Sequence, residues 1–261
     1  MTGLIQLDFI DLGWALGMIG LAIGLSAWQR LGLEWQLGQA GGRTLIQMTL
    51  VGYLLAAVFD PRAKNPWLVM GVLIIMLGIA SVVAKNRISK KIKGLFLLVS
   101  SSILVSAAFT LIYVNLLIIK PPTWYEPQYI IPLAGILIGN AMNAATISGE
   151  RLVSILNSSQ IEIETHLSLG ATPLEAVSEY RKDAVKAGLI PTINTMMIVG
   201  VVTLPGTITG QLLSGVSPLD AASYQILIMF MLALTTIMST SLLTAALCRQ
   251  FFNKSAQLIK F

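Results

Sequence analysis

Charge is what this sequence has least of. Asp, Glu, Lys and Arg together make 11% of its 261 residues, roughly half the share of an ordinary soluble domain. So little charge cannot solvate a globular surface, and a soluble protein is excluded. Cysteine occurs once, at Cys248, and histidine once, at His166, which excludes an intrachain disulfide and a zinc-type cluster of Cys and His ligands. No GxxxxGK[ST] run occurs anywhere, so the chain lacks the loop that cradles nucleotide phosphates.

What is present is apolar: 55% of the residues are hydrophobic and the mean hydropathy is +0.79. About 20 apolar residues span a bilayer core, and the sequence offers seven such runs, 9–29, 44–59, 66–84, 94–119, 129–148, 190–213 and 222–247. The expected fold is therefore an all-α polytopic membrane protein forming a single transmembrane domain over 1–261. Asp8 and Asp11 stand at the entrance of the first run, with no Lys or Arg before it; that is not the basic start of a cleaved signal peptide, so this run is expected to stay as an anchor. The formal charge of +5 is read as topology, not as a footprint for nucleic acid. Lys85, Arg87, Lys90, Lys91 and Lys93 fall between the third and fourth runs, and the positive-inside rule assigns that loop to the cytoplasm. Alternation then puts the N-terminus outside, the C-terminus inside and 14 of the 17 basic residues on the inner face, leaving Arg62, Lys64 and Lys120 outside. Leu31 to Gly42, with Trp35 and a Gly41-Gly42 end, fits an interfacial elbow or a plain loop.

The one long connector, 149–189, is expected in the cytoplasm. Ser159-Gln160-Ile161-Glu162 has the form of a capping box, and Gly170 is placed to close the helix it opens. Thr172-Pro173-Leu174-Glu175 is a second capping box with proline at the first helical position, and Gly188 is expected to end the following helix before Pro191. A helix, a tight glycine turn and a helix result, with a tip poor in charge. Read alone, such a pair fits either a cap on the bundle or a docking element.

Glu164-Thr-His166-Leu167-Ser-Leu169-Gly170-Ala171-Thr172-Pro173 resembles the EAA loop of ABC-transporter permeases, with Thr165 and His166 in place of the usual alanines. Joined to it, in order along nearly the whole chain, are Gln47 with Val51-Gly52-Tyr53, Gly139-Asn140-Ala-Met-Asn143, Ala187-Gly-Leu-Ile-Pro191-Thr, Leu204-Pro205-Gly206 and Tyr224-Gln225-Ile-Leu-Ile-Met229. Together these resemble the FetB (YbbM-like) family of ABC permeases, linked to iron export and metal resistance, with plant relatives in aluminium tolerance. The resemblance implies a homodimer in a bacterial plasma (inner) membrane, served by a separate ATPase subunit that uses the ATP, with no cofactor on this chain and no catalysis by it. It also implies that Glu164, His166, Leu167, Leu169, Gly170, Ala171, Thr172 and Pro173 dock the ATPase. The implied cargo is iron or another metal; a metal chelate or a nonmetal substrate such as a nucleotide sugar is the alternative.

Two rival classes meet specific obstacles. A secondary transporter usually carries ionisable coupling groups inside the membrane, and no Asp, Glu, Lys, Arg or His lies near the middle of any of the seven runs. A scaffold without transport has no need of polar residues at membrane depth, yet Asn140, Asn143 and Thr146 recur at three-residue spacing in the fifth run. The sixth run holds Asn194, Thr203, Thr207, Thr209 and Gln211 around Pro205-Gly206, a pair that can open a helix. Broken helices at membrane depth line cavities or are buried in protein. Asn140, Asn143, Thr203, Pro205, Gly206, Thr207 and Gln211 are therefore the candidate substrate path, with helix-to-helix adhesion as the other reading, since Gly135 and Gly139 form a small-xxx-small pair. Among the eleven methionines, Met196-Met197 is the candidate soft donor and the scattered others fit core filling. Where the family has a methionine pair after Leu-Pro-Gly, this chain has Thr207 and Ile208.

Overall fold

The computed structural model describes residues 8–59, 65–89, 92–121, 123–253 and 257–259, and nearly all of them are helical. Arg62, Lys64, Lys90, Lys91, Lys254 and Lys260, counted above for topology, lie outside the described residues. The chain divides into two compact units, Met1–Asn65 and Pro66–Phe261. Six helices in the described residues are long and apolar enough to cross a membrane, so the chain is an all-α multi-pass membrane protein.

The first unit is a helical hairpin, α1 (Phe9–Trp28) and α2 (Glu34–Val58). The Ser26 hydroxyl donates to Glu34 Oε1 at 3.0 Å and accepts from the Leu33 amide at 3.3 Å, bracing the turn. Arg30 and Gly32 reverse the chain there with φ of 53° and 71°. A Cβ on Gly41 would stand 3.3 Å from Ile19 Cγ2, which marks the close approach of the two helices. The expected elbow over Leu31 to Gly42 is not found beyond this turn. From Glu34 onward the segment is the opening of α2, because Gln and Gly lower helix propensity without removing an amide as proline would.

The second unit holds α3 (Pro66–Ile88), α4 (Leu95–Val114, prolonged by a π turn over Asn115–Ile119), α5 (Pro127–Ser158), α6 (Gln160–Ser168), α7 (Pro173–Ala176), α8 (Ser178–Ile198), α9 (Gly206–Leu213) and α10 (Pro218–Gln250). Its centre is α5 and α10, which pack on each other; α3, α4 and α8 pack on α5, and α4, α8 and α9 on α10. Ala134, Leu137, Ala141, Ala145, Ser148, Leu152 and Leu156 recur at three- and four-residue spacing and form the buried stripe of α5. The facing stripe of α10 is rich in hydroxyls. Thr235 Oγ1 donates to Thr110 Oγ1 at 2.9 Å, and the Thr192 and Thr236 hydroxyls lie 3.3 Å apart. Where lipid offers no hydrophobic drive between helices, small side chains and such contacts hold the bundle, each worth about 0.6 to 2 kcal/mol.

Two expectations are corrected here. Ser159 makes no side-chain cap to α6; it is the C-cap of α5, which runs ten residues past the expected span, to Ser158. Gly188 does not end α8, which passes through it and Pro191 to Ile198. A Cβ on Gly188 would lie 2.8 Å from both the Ala144 carbonyl oxygen and Thr240 Cγ2, so glycine serves here to bring α8 against α5 and α10. The run 190–213 is broken ahead of Pro205-Gly206, the pair expected to open it: α8 stops at Ile198, a turn with Gly200 at φ 82° follows, and α9 starts after Pro205.

Candidate functional site

Two places gather the candidate residues. The first is the hairpin of α6 and α7. Leu169 is the C-cap of α6 and Gly170 follows at φ 94°; the Gly170 amide donates to the Leu167 carbonyl at 3.0 Å and the Ala171 amide to the His166 carbonyl at 3.1 Å. That pair of bonds is the Schellman closure, which needs a left-handed residue and so favours glycine. The predicted second capping box is present. The Glu175 carboxylate accepts from the Thr172 amide at 2.9 Å and from its hydroxyl at 2.6 Å, while the Glu175 amide donates back to Thr172 Oγ1 at 3.4 Å. These bonds to Thr172 hold the Glu175 carboxyl below its ordinary pKa.

Ile163, Ala176 and Val177 are buried and seat the hairpin on its own unit, and Leu167 packs partly against the same core. Leu169 points away, with 80% of its surface exposed. Glu164 Oε1 accepts from Gln160 Nε2 at 3.1 Å within the same helix. His166, Gly170 and Thr172 are exposed, and Ala171 and Pro173 half-buried. Burial raises the pKa of Tyr180, at the start of α8, and a hydrogen bond to Glu162 raises it further, tying the two arms together.

The second place is the break between α8 and α9. The Gly200 amide donates to the Thr203 carbonyl at 2.9 Å, and the Ile198 carbonyl accepts from Val202 at 2.9 Å, so the break is a closed turn, not frayed backbone. Pro205 then caps α9 and Thr209 Oγ1 donates to its carbonyl at 3.2 Å. Thr207 Oγ1 donates to Gln225 Oε1 of α10 at 2.5 Å. Gln225 is buried, and its Nε2 has no hydrogen-bond partner among the described residues. A cleft of about 400 Å³ opens here, lined by Met196, Gly200, Leu204, Pro205, Gln225 and Met229 among others.

Of the predicted path residues, Pro205 lines this cleft and Thr207 reaches it through Gln225. Thr203 is exposed, Gly206 opens α9, and Gln211 is half-buried farther along it. Asn140 and Asn143 stand on α5, half-buried and exposed, and do not line the cleft. Gln225 and Met229 line this cleft, and sequence reasoning did not single them out as a site. Their i, i+4 spacing puts them on one face of α10, but nothing in the sequence says that this face meets the break.

The profile of an uncharacterised protein family, UPF0014, matches residues 9–252. The chain is 53% identical to a UPF0014 membrane protein of Synechocystis sp. over 98% of both chains. It is 36% identical to the probable iron export permease protein FetB of Escherichia coli over 95% of this chain and 94% of that one. Against the protein ALUMINUM SENSITIVE 3 of Arabidopsis thaliana the identity is 32%, over 94% and 87%. No solved structure matches the chain significantly.

Proposed function

The chain belongs to the UPF0014 family, and from that premise we propose that it is the membrane permease subunit of an ABC-type exporter. Two copies form the path, a separate ATPase subunit on each supplies the energy, and the cargo is a metal, iron foremost, moved across a bacterial plasma membrane. The relatedness to a protein named as a probable iron export permease supports the cargo. The observation that carries the reading is the α6–α7 hairpin: rigidly closed at Gly170, seated by buried Ile163 and Val177, and presenting exposed Leu169. A short element of this kind passes the motion of an engine to the membrane helices as a rigid contact.

An N-terminus outside and a C-terminus inside need an odd number of crossings. Six long helices plus α8 and α9 as one broken crossing supply it, in keeping with the basic asymmetry of the loops. At the break, the donors are the Met196 and Met229 thioethers, the Gln225 amide and the Thr207 hydroxyl. The described residues contain no group of three or more His, Cys, Asp or Glu placed to hold a metal ion. That donor set favours a chelated or loosely held ion over a bare, dehydrated one.

The test is to copurify the chain with its ATPase and measure ATPase stimulation in liposomes across metal ions, metal chelates and nucleotide sugars. Stimulation by a metal or its chelate is expected, with no nucleotide binding by the chain alone. ATP binding by the isolated chain, or transport driven by an ion gradient without any ATPase, would overturn the reading.

A further inference from the structure

A basic cleft of about 460 Å³ lies between the start of α8 and the end of α10, away from the broken helix. Arg181, Lys182 and Lys186 line it from α8 and Arg249 from α10, with Val185 and Ala245 as apolar wall; no carboxylate lines it among the described residues. Lys182 is committed to Glu179, donating to its carboxylate at 2.7 Å. The other three cations converge without such a partner in the lining. Arg181 Nε is buried and has no hydrogen-bond partner among the described residues, which costs free energy unless an acceptor meets it. Like charges one turn apart on a helix also repel, so the cleft as built calls for an anion.

Its depth narrows the choice. On α8 the charges end at Lys186, and 187–198 carries none; on α10 no charge falls between Asp220 and Arg249. Both helices therefore change from charged to uncharged at the level of the cleft. The uncharged stretch of α10, Ala221 to Cys248, is about 42 Å of helix at 1.5 Å per residue, the thickness of a bilayer with its headgroups. Arg249 thus stands at headgroup level, where basic pockets between membrane helices take lipid phosphates.

We propose that this cleft binds the phosphate of an anionic phospholipid from the adjacent leaflet. The Arg181 and Arg249 guanidiniums donate to the phosphate oxygens, Lys186 adds charge at the rim, and the first carbons of an acyl chain lie along Val185 and Ala245. The lipid joins α8 to α10 at this level. The assignment is independent of the transport reading.

Native mass spectrometry of the full chain in detergent tests it, with phosphatidylglycerol and phosphatidylcholine of identical acyl chains and with inorganic phosphate as a separate arm. One phosphatidylglycerol retained per chain is expected, at least about fivefold in preference to phosphatidylcholine. Arg181→Gln should weaken retention about fivefold and Arg181→Gln with Arg249→Gln about 25-fold, following the worth of a cation near a lipid surface. Arg151→Gln, exposed on α5, should change nothing. If Arg181→Gln does not fold, Lys186→Gln with Arg249→Gln, both exposed, carries the same expectation. Equal retention of the two lipids, or undiminished retention by the double variants, overturns the proposal. Retention of inorganic phosphate in place of lipid also overturns it, by making the ligand a soluble anion.

Discussion

Helices α1 and α5 are equally hydropathic, yet 6% of the apolar window of one is buried and 50% of the other. Both also carry small residues at helical spacing. On α1 these are Gly13, Gly17, Gly20 and Gly24, and a Cβ on any of them would meet nothing within 4 Å. On α5 they are Ala134, Ala141, Ala145 and Gly149, all buried, and a Cβ on Gly149 would press on Ile88 at 2.6 Å. The same composition thus does two things. On α5 small residues let neighbouring backbones come close, so hydroxyl contacts and dispersion hold the bundle; on α1 they meet no neighbour within 4 Å.

The comparison breaks most sharply at glycine. Gly188→Val would drive a branched side chain into the Ala144 carbonyl, a backbone atom that cannot step aside, and should destabilise the chain by about 3 kcal/mol. Gly17→Val faces open space and should stay within about 0.5 kcal/mol of the parent. Thermal unfolding of both variants in the same detergent measures the difference; equal midpoints would mean that α8 is not packed as described.

The α6–α7 hairpin, proposed above as the coupling element, gives the next largest effect. Gly170 has open space around it, so the cost of Gly170→Val is conformational strain at φ 94°, on the order of 1 to 3 kcal/mol. Insertion and folding of the membrane helices should survive while ATPase binding weakens about tenfold, read by copurification and titration. Unchanged binding and full transport would make the hairpin a bystander.

A smaller effect is expected at Asn143, which α5 leaves exposed. Asn143→Leu should alter which cargo stimulates ATPase activity with complex assembly intact. If it dissociates the complex instead, this face adheres to a neighbour and lines no path.

The smallest effect concerns the α7 cap. Because the folded pKa of Glu175 lies below its ordinary value of 4.5, its contribution is fully present above that value and is lost as pH falls through the folded pKa. Amide exchange at Thr172, whose N–H it holds, should quicken at acid pH beyond the intrinsic trend. Glu175→Gln should remove that excess.

Local signals within about four residues were legible in advance. The Thr172–Glu175 box and the Gly170 closure formed as their residues dictate, because each is completed by neighbours in sequence. The Ser159 box did not form: α5 continues to Ser158, and Ser159 stands at both the end of α5 and the start of α6, where its carbonyl accepts from the Ile163 amide but its side chain makes no cap. Gly188 and Pro191 read as stop signals, and they are overridden because α8 is packed on both α5 and α10 there.

By itself, the sequence determined that this chain lives in a membrane and that its long apolar runs are helices; hydropathy acts residue by residue and needs no partner. Only the tertiary structure decided which equally apolar helices are core and which are open, that Gly188 is a contact and not a terminus, that the break expected at Pro205-Gly206 begins already at Val199, and that Gln225 meets Thr207 while Arg181 and Arg249 face one cleft. Each of these depends on which surfaces come together across distances of tens of residues, and periodicity along one helix carries no record of what stands opposite it.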